Sequence, residues 1–144
     1  MKRLVAALLA LVTLVSCAAP GHDAGEIERE IRSAMAQQVS LWNRGDIEGF
    51  MSHYWKSDAF TFQSGDRRLE GWEQLLAMYR ANYAGEKRGT LDFSDIEVTT
   101  LSRDAAYVIG RWRVVTADTT KAGLFTLILR RIDGEWRIAH DHSS

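Results

Sequence analysis

Two histidines in the last ten residues have the spacing of side chains that share one face of a strand. His140 and His142 continue an alternating pattern that begins at Trp136 and Ile138, and alternate residues of a strand point to the same side. If that side faces a cavity, His140 is a candidate catalytic acid or base, because the unperturbed pKa of histidine is about 6.5. Asp141 would point to the opposite face and orient neither ring. Since catalytic histidines usually have an orienting partner, the favoured alternative is that both histidines cap the core.

The same pair is a weak candidate for metal binding. Two imidazoles on one face supply two ligands, whereas a zinc site needs three or four. His53 or Asp58 would have to converge on them from elsewhere, and Cys17 is the only cysteine of the chain. We therefore expect neither a metal nor another cofactor.

Arg111 and Arg113 form a second candidate pair. They share one face of a predicted long strand, while Trp112 points to the other face. Turned toward a cavity, two guanidinium groups would hold a carboxylate or a phosphate bidentately. The favoured alternative places Trp112 inward and both arginines on the outer face of the sheet.

Aromatic residues are more numerous than a small core needs. Most of them are expected in the core, yet tyrosine hydroxyls need partners or water. A concave, largely apolar cavity with a few such polar groups suits a small hydrophobic ligand. The predicted lining of this cavity is Tyr54, Phe62, Gln63, Tyr79, Trp112 and His140.

Helices are predicted in the first part of the chain. Apolar residues recur every three or four positions over residues 27–42, which predicts an amphipathic helix. Asp46 is a suitable N-cap for a second helix that ends near Lys56. A strand at 59–63 and a third helix over about 71–85 complete this part.

Strands are predicted for nearly all of the remainder. Imperfect alternation in residues 90–101 indicates a bulge near Ser94 and Asp95. A long strand over 105–117 precedes a hairpin whose turn is Asp133-Gly134, a pair that readily adopts positive φ angles. Helices first and sheet last, without βαβ alternation, predict one α+β domain with an antiparallel meander.

The first residues have the composition of an export signal. Lys2 and Arg3 precede an apolar run that is too short to span a bilayer, and Leu14-Val-Ser-Cys17 resembles the lipobox of bacterial lipoproteins. We expect a signal peptide at 1–16, lipidation of Cys17, a tether at 17–25 and a domain at 26–144. The resemblance implies an exported protein anchored to a bacterial membrane, facing the periplasm from the outer membrane if the cell is Gram-negative. The net charge of −1 gives no reason to expect nucleic acid as a partner.

The order of elements and two stretches resemble a known superfamily. Residues 42–50, Trp-Asn-Arg-Gly-Asp-Ile-Glu-Gly-Phe, resemble the loop between the first two helices of nuclear transport factor 2-like proteins. Residues 133–144 resemble the closing hairpin of the SnoaL-like branch and of the association domain of calmodulin-dependent kinases. The resemblance covers 26–144 and implies a cone, in which three N-terminal helices pack in a curved antiparallel sheet. It also implies a homodimer formed through the outer face of the sheet.

Ketosteroid isomerases of this superfamily use a carboxylate base, a tyrosine and a protonated aspartic acid. By resemblance, the position of the base falls on Gln63 and that of the tyrosine near Gln38, while 124–129 contains no carboxylate. This particular chemistry is therefore not expected.

Three functions remain open. The first is the binding of a small, mostly apolar molecule in the cone, and the absent base ranks it first. The second is a cofactor-free lyase or isomerase that uses His140 with a pocket tyrosine. The third is a dimerisation or protein-interaction domain with a vestigial cavity.

Overall fold

The computed structural model of the protein describes residues 24–144. The predicted signal peptide and Cys17 lie outside the described residues, as does the predicted tether up to residue 23. The described part contains three α-helices, one 3₁₀ helix and six strands. They are α1 (Ala24–Arg44), α2 (Ile47–Met51), β1 (Thr61–Ser64), β2 (Arg67–Glu70), α3 (Trp72–Asn82), the 3₁₀ helix (Gly85–Arg88), β3 (Thr90–Ser102), β4 (Ala105–Val115), β5 (Thr120–Ile132) and β6 (Glu135–Ser143).

Helix α1 buries one stripe of side chains at helical spacing. The buried residues are Ile27, Ile31, Met35, Gln38 and Trp42. The helix ends where Gly45 adopts a φ of 86°, a conformation that glycine reaches without steric cost. The predicted first helix is confirmed, and its buried stripe includes one polar residue.

Helix α2 is shorter than predicted. The Asp46 carboxylate accepts a hydrogen bond of 2.8 Å from the Gly49 backbone N–H, so the predicted N-cap is confirmed. The helix nevertheless ends at Met51, because the next residues pair with β6. The Ile138 N–H donates to the His53 carbonyl, and the Trp55 N–H donates to the Ile138 carbonyl.

The sheet is mixed, in the order β2-β1-β6-β5-β4-β3. The prediction of an antiparallel sheet is wrong at one position, because β1 pairs in parallel with β6. The other neighbouring strands are antiparallel. The parallel pair arises because the chain passes through the hairpin of β1 and β2 before α3, and only the last strand returns beside β1. This pairing brings the N-terminal half of the domain against its last strand.

Two sequence signals of local geometry are confirmed. Asp133 and Gly134 have φ angles of 53° and 83° and join β5 to β6. The pairing of β3 with β4 shifts between Ser94 and Glu97, as expected for a bulge, and Asp95 has a φ of 51°.

The core lies between the helices and the concave face of the curved sheet. It contains apolar side chains from each of the three α-helices and from five of the six strands, and most of them are almost fully buried. Among the described residues, no helix is both long enough and apolar enough to cross a membrane. The fold is the α+β cone that the resemblance implies, with its cavity between the helices and the sheet.

Candidate functional site in the cone

A cavity of about 140 Å³ lies between the helices and the sheet. Aromatic and aliphatic side chains form most of its wall, with Gln38, Ser64, Asp141 and Ser143 among its polar members. Four residues of the predicted lining contribute to it, namely Tyr54, Phe62, Tyr79 and Trp112. Gln63 and His140 do not.

Asp141 is a buried carboxylate in this cavity, with only 4% of its surface exposed. The Tyr54 hydroxyl donates a hydrogen bond to one carboxylate oxygen at 3.1 Å, and the Ser143 hydroxyl donates to the other at 2.9 Å. Apart from these bonds, its surroundings in the cavity are largely apolar. The carboxylate is therefore held in a fixed position where it can meet a ligand.

A bulge in β6 turns Asp141 inward. Leu129 pairs with Ile138, but the next residue of β5, Ile128, pairs with His140, so Ala139 is an extra residue. The bulge lies where β6 changes partners, from residues 53–55 at Ile138 to β1 at His140. From His140 onward, each side chain of β6 points to the face opposite to the one it would occupy in a regular strand.

The prediction that His140 faces the cavity is wrong for this reason. His140 lies on the outer side of the sheet, where its Nδ1 is 2.6 Å from the Thr61 Oγ1 atom. Burial, followed by the nearby His142 and Arg68, lowers the pKa of His140. Neither histidine lines the cavity.

Gln63 is excluded from the cavity by the alternation of β1. Phe62 and Ser64 point into the cavity, so Gln63 between them points to the other face. The prediction that Phe62 and Gln63 both line the pocket is therefore wrong for Gln63. Neither inward residue of β1 carries a carboxylate, and β6 supplies the acidic group instead.

The electrostatics of Asp141 follow from its burial. Desolvation raises its pKa from 3.8 to about 6, although the hydrogen bonds from Ser143 and Tyr54 and the nearby His142 act in the opposite direction. Burial also raises the pKa of Tyr54, and Tyr79 and Asp141 add to that effect. Near neutral pH the carboxyl group can thus exchange a proton, while the Tyr54 hydroxyl remains a hydrogen-bond donor.

An aromatic cluster fixes the tyrosines of the cavity. Trp42 contacts Phe50, Tyr79 and Tyr83 edge to face, with ring centroids 5.1, 5.6 and 5.1 Å apart. Phe50 also packs against Tyr54 at 5.6 Å. Contacts of this kind hold the rings in one orientation, so the polar tips of Tyr54 and Tyr79 are positioned before any ligand enters.

Two further polar atoms in the cavity wall have no hydrogen-bond partner among the described residues. They are Nε2 of Gln38 and Nε1 of Trp112. Buried donors are normally paired, so each is a candidate contact for a ligand or a water molecule. The sequence carried a signal for Gln38, a polar residue on an apolar stripe, but the signal for Asp141 depended on the unforeseen bulge.

Arg111 and Arg113 lie on the outer face of the sheet, as the favoured alternative predicted. Both are exposed, and they face Asp95 at 3.1 Å and Asp92 at 3.9 Å, respectively. Trp112 between them points inward. Within residues 24–144, no group of three or more histidine, cysteine, aspartate or glutamate side chains could hold a metal ion.

Comparisons with known proteins agree with this fold. A family model described as a SnoaL-like domain matches residues 31–144. An NTF2-like protein of unknown function from Shewanella oneidensis is 38% identical, with a TM-score of 0.79, and the match covers 82% of this chain and 98% of that one. The fold and its cavity define a nuclear transport factor 2-like domain. The chain belongs to the SnoaL-like family of that superfamily.

More distant solved structures share the fold alone. A nuclear transport factor 2-like superfamily protein from Salmonella enterica is 19% identical, with a TM-score of 0.72, over 85% of this chain and 92% of that one. A putative scytalone dehydratase from Novosphingobium aromaticivorans is 12% identical, with a TM-score of 0.65, over 81% and 82%. A comparison with curated proteins gave no match.

Proposed function

We propose that this domain binds a small, mostly apolar molecule in the cone and hydrogen-bonds one polar group of that molecule through Asp141. The observation that carries the proposal is a buried carboxylate at a cavity whose wall is otherwise largely apolar. The volume of about 140 Å³ is close to that of an engineered apolar cavity of ~150 Å³ that binds benzene. A ligand body of about that size fits.

The carboxylate gives the site its selectivity for a polar group. When ionised, Asp141 accepts hydrogen bonds from a hydroxyl or an amine; when protonated, it donates one to a carbonyl. Nε2 of Gln38 and Nε1 of Trp112 each add a donor on the same cavity wall. Burying such groups costs free energy unless they are paired, so a ligand that pairs them is favoured over one that is wholly apolar.

Binding is tested with small probes that share one ring size, such as phenol, cyclohexanol and cyclohexanone. We expect at least one of them to raise the free energy of unfolding of the purified protein, by about 2.7 kcal/mol at a hundredfold excess over Kd. Asp141→Asn should change the affinity of the protein for that probe. Asp92→Asn, which alters an exposed carboxylate, should leave this affinity unchanged. No stabilisation by any probe, or equal affinities in all three proteins, would refute the proposal.

Acid–base catalysis without a cofactor is the second candidate, and a different observation favours it. Burial brings the pKa of Asp141 to about 6, close to the pH at which a general acid or base is most effective. In this candidate Asp141 takes the role that the sequence suggested for His140. The pH dependence of the turnover rate of a small ketone or hydroxy compound should then have an inflection near pH 6. Turnover should be abolished in Asp141→Asn and retained in His140→Ala.

We also propose that two copies of the domain associate through the outer face of the sheet. Leu124 is 52% exposed and Ile109 is 38% exposed on adjacent strands of that face. The proposal also follows the resemblance to nuclear transport factor 2-like proteins, which implies a homodimer formed through this face.

For the N-terminal segment we propose export and lipidation at Cys17. The proposal depends on the lipobox-like sequence Leu14-Val-Ser-Cys17. Labelling cells with palmitate should mark the wild-type protein and fail to mark Cys17→Ala. Equal labelling of both would refute it.

A further inference from the structure

A second concave space adjoins the cavity at the surface. This cleft, of about 590 Å³, lies between the end of α3, the turn from β4 to β5 and the start of β2. Met78, Tyr83 and Val114 line both the cavity and the cleft. The cavity and the cleft therefore share a wall made of these three side chains.

The cleft is basic in a protein whose overall net charge is −1. Among the described side chains, Arg67, Lys87 and Lys121 line it together with one carboxylate, Asp118. All three cations are exposed, and none forms an ion pair with a described side chain. Most of the described arginines outside the cleft, in contrast, are paired with an acidic side chain. The cleft therefore carries positive charge that no described side chain pairs.

Asp141 decides which end of a ligand lies in which space. It lines the cavity and not the cleft, and it becomes an anion above about pH 6. An anionic group placed beside it would be repelled, whereas the same group in the cleft would be attracted. The two spaces thus favour a ligand with an apolar body inside and a negative charge outside.

We infer that the cleft binds the anionic group of a ligand whose apolar body fills the cavity, and that the ligand is a small organic carboxylate. The inference rests on the proposed binding function and specifies the class of ligand. A carboxylate bound by two or three exposed cations gains a modest amount from each pair. The positive cleft also raises the local concentration of anions at the entrance.

The test compares 4-phenylbutanoate with 4-phenylbutan-1-ol, which have the same apolar body and differ in the charged end. With the purified full-length protein at low salt and pH 7.5, we expect the acid to bind about tenfold more tightly than the alcohol. The preference should decrease at high salt, because salt screens exposed charges. In the triple variant Arg67→Gln, Lys87→Gln, Lys121→Gln, the acid should lose this advantage and the alcohol should bind as before.

A matched control removes the same amount of charge elsewhere. The triple variant Lys56→Gln, Arg103→Gln, Arg130→Gln replaces three exposed cations that do not line the cleft, and it should keep the preference for the acid. Equal binding of acid and alcohol to the wild type would overturn the inference and leave the proposed binding function intact. Equal loss of the preference for the acid in both triple variants would also overturn the inference. If neither compound binds, the inference fails, and the binding of phenol, cyclohexanol and cyclohexanone decides separately whether the proposed function stands.

Discussion

Asp141 is the residue on which the candidate site depends, and its burial carries a free-energy cost. An ionised carboxylate in a largely apolar cavity is less stable than the same group in water, so folding favours the protonated form. Two hydrogen bonds, from Tyr54 and Ser143, offset only part of that cost. Proteins retain such groups most often at functional sites.

Folding raises the pKa of Asp141 from 3.8 to about 6, and the sign of the resulting pH dependence follows. The contribution of Asp141 to stability is fully present below pH 3.8 and is lost as the pH rises through about 6. We expect the free energy of unfolding of the wild type, minus that of Asp141→Asn, to fall by about 3 kcal/mol across this range. Urea unfolding at several pH values measures the difference, and a constant difference would show that folding leaves the pKa of Asp141 unchanged.

Gln38 provides a second test at the residue scale. Its amide nitrogen is buried in the cavity wall and has no partner among the described residues. Gln38→Met removes this unpaired group at similar volume, so we expect the ligand-free protein to gain about 1 kcal/mol of stability. Gln37→Met, on the exposed side of the same helix, should change stability by less than about 0.5 kcal/mol. A loss of stability in Gln38→Met alone would mean that the amide is paired.

At the scale of elements, the bulge in β6 decides which side chains enter the cone. Ile138 and Asp141 both point inward because Ala139 is an extra residue between them. The hairpin at Asp133-Gly134 sets the register of β5 against the first half of β6, and pairing with β1 sets the second half. The orientation of the Asp141 side chain thus depends on both pairings.

Deleting Ala139 should remove the bulge. The remaining residues of β6 would then alternate regularly, so the same residues should face inward. We expect this deletion to leave Asp141 in the cavity, with its raised pKa. Deleting Arg137, in the regular part of the strand, should instead turn Trp136 away from the core and destabilise the protein far more, because a one-residue shift exchanges the faces of a strand. Thermal unfolding of both variants measures the loss of stability in each. Similar losses of stability, or an ordinary Asp141 pKa in the first variant, would contradict the proposed role of the bulge.

Features set by local backbone chemistry were predictable from the sequence, whereas a feature set by tertiary pairing was not. The N-cap at Asp46, the turn at Asp133-Gly134 and the bulge after Ser94 depend on local backbone chemistry, and all three were predictable. The bulge at Ala139 depends on where residues 53–55 and β1 meet β6, which no local pattern records. As a result the aromatic lining was largely foreseen, whereas His140 and Asp141 were assigned to the wrong faces.

For the whole molecule, the described domain is a single cone whose inner cavity adjoins a cleft at the surface. Asp141 lies in the inner cavity, and Arg67, Lys87 and Lys121 line the adjoining cleft. The outer face of the sheet, where Leu124 and Ile109 are exposed, is separate from both spaces. Ligand binding and association of two copies can therefore be tested independently.

For the whole molecule we expect sedimentation to show a dimer. Leu124→Glu places a charge in the proposed interface and should shift the protein toward monomer, because an unpaired charge is costly to bury. Ala36→Glu, on the exposed side of α1, adds the same charge and should not. A wild-type monomer at high concentration, or a dimer that withstands Leu124→Glu, would contradict the proposed interface.

The candidate site depends on Asp141 as the titrating group of the cavity. The side-chain carboxyl carbon of Asp141 can be followed by NMR as the pH is changed. We expect a midpoint of about 6 for Asp141. A midpoint near the ordinary value of 3.8 would show that the carboxylate is solvated. Such a midpoint would remove the physical basis for the proposed roles of Asp141 in binding and catalysis.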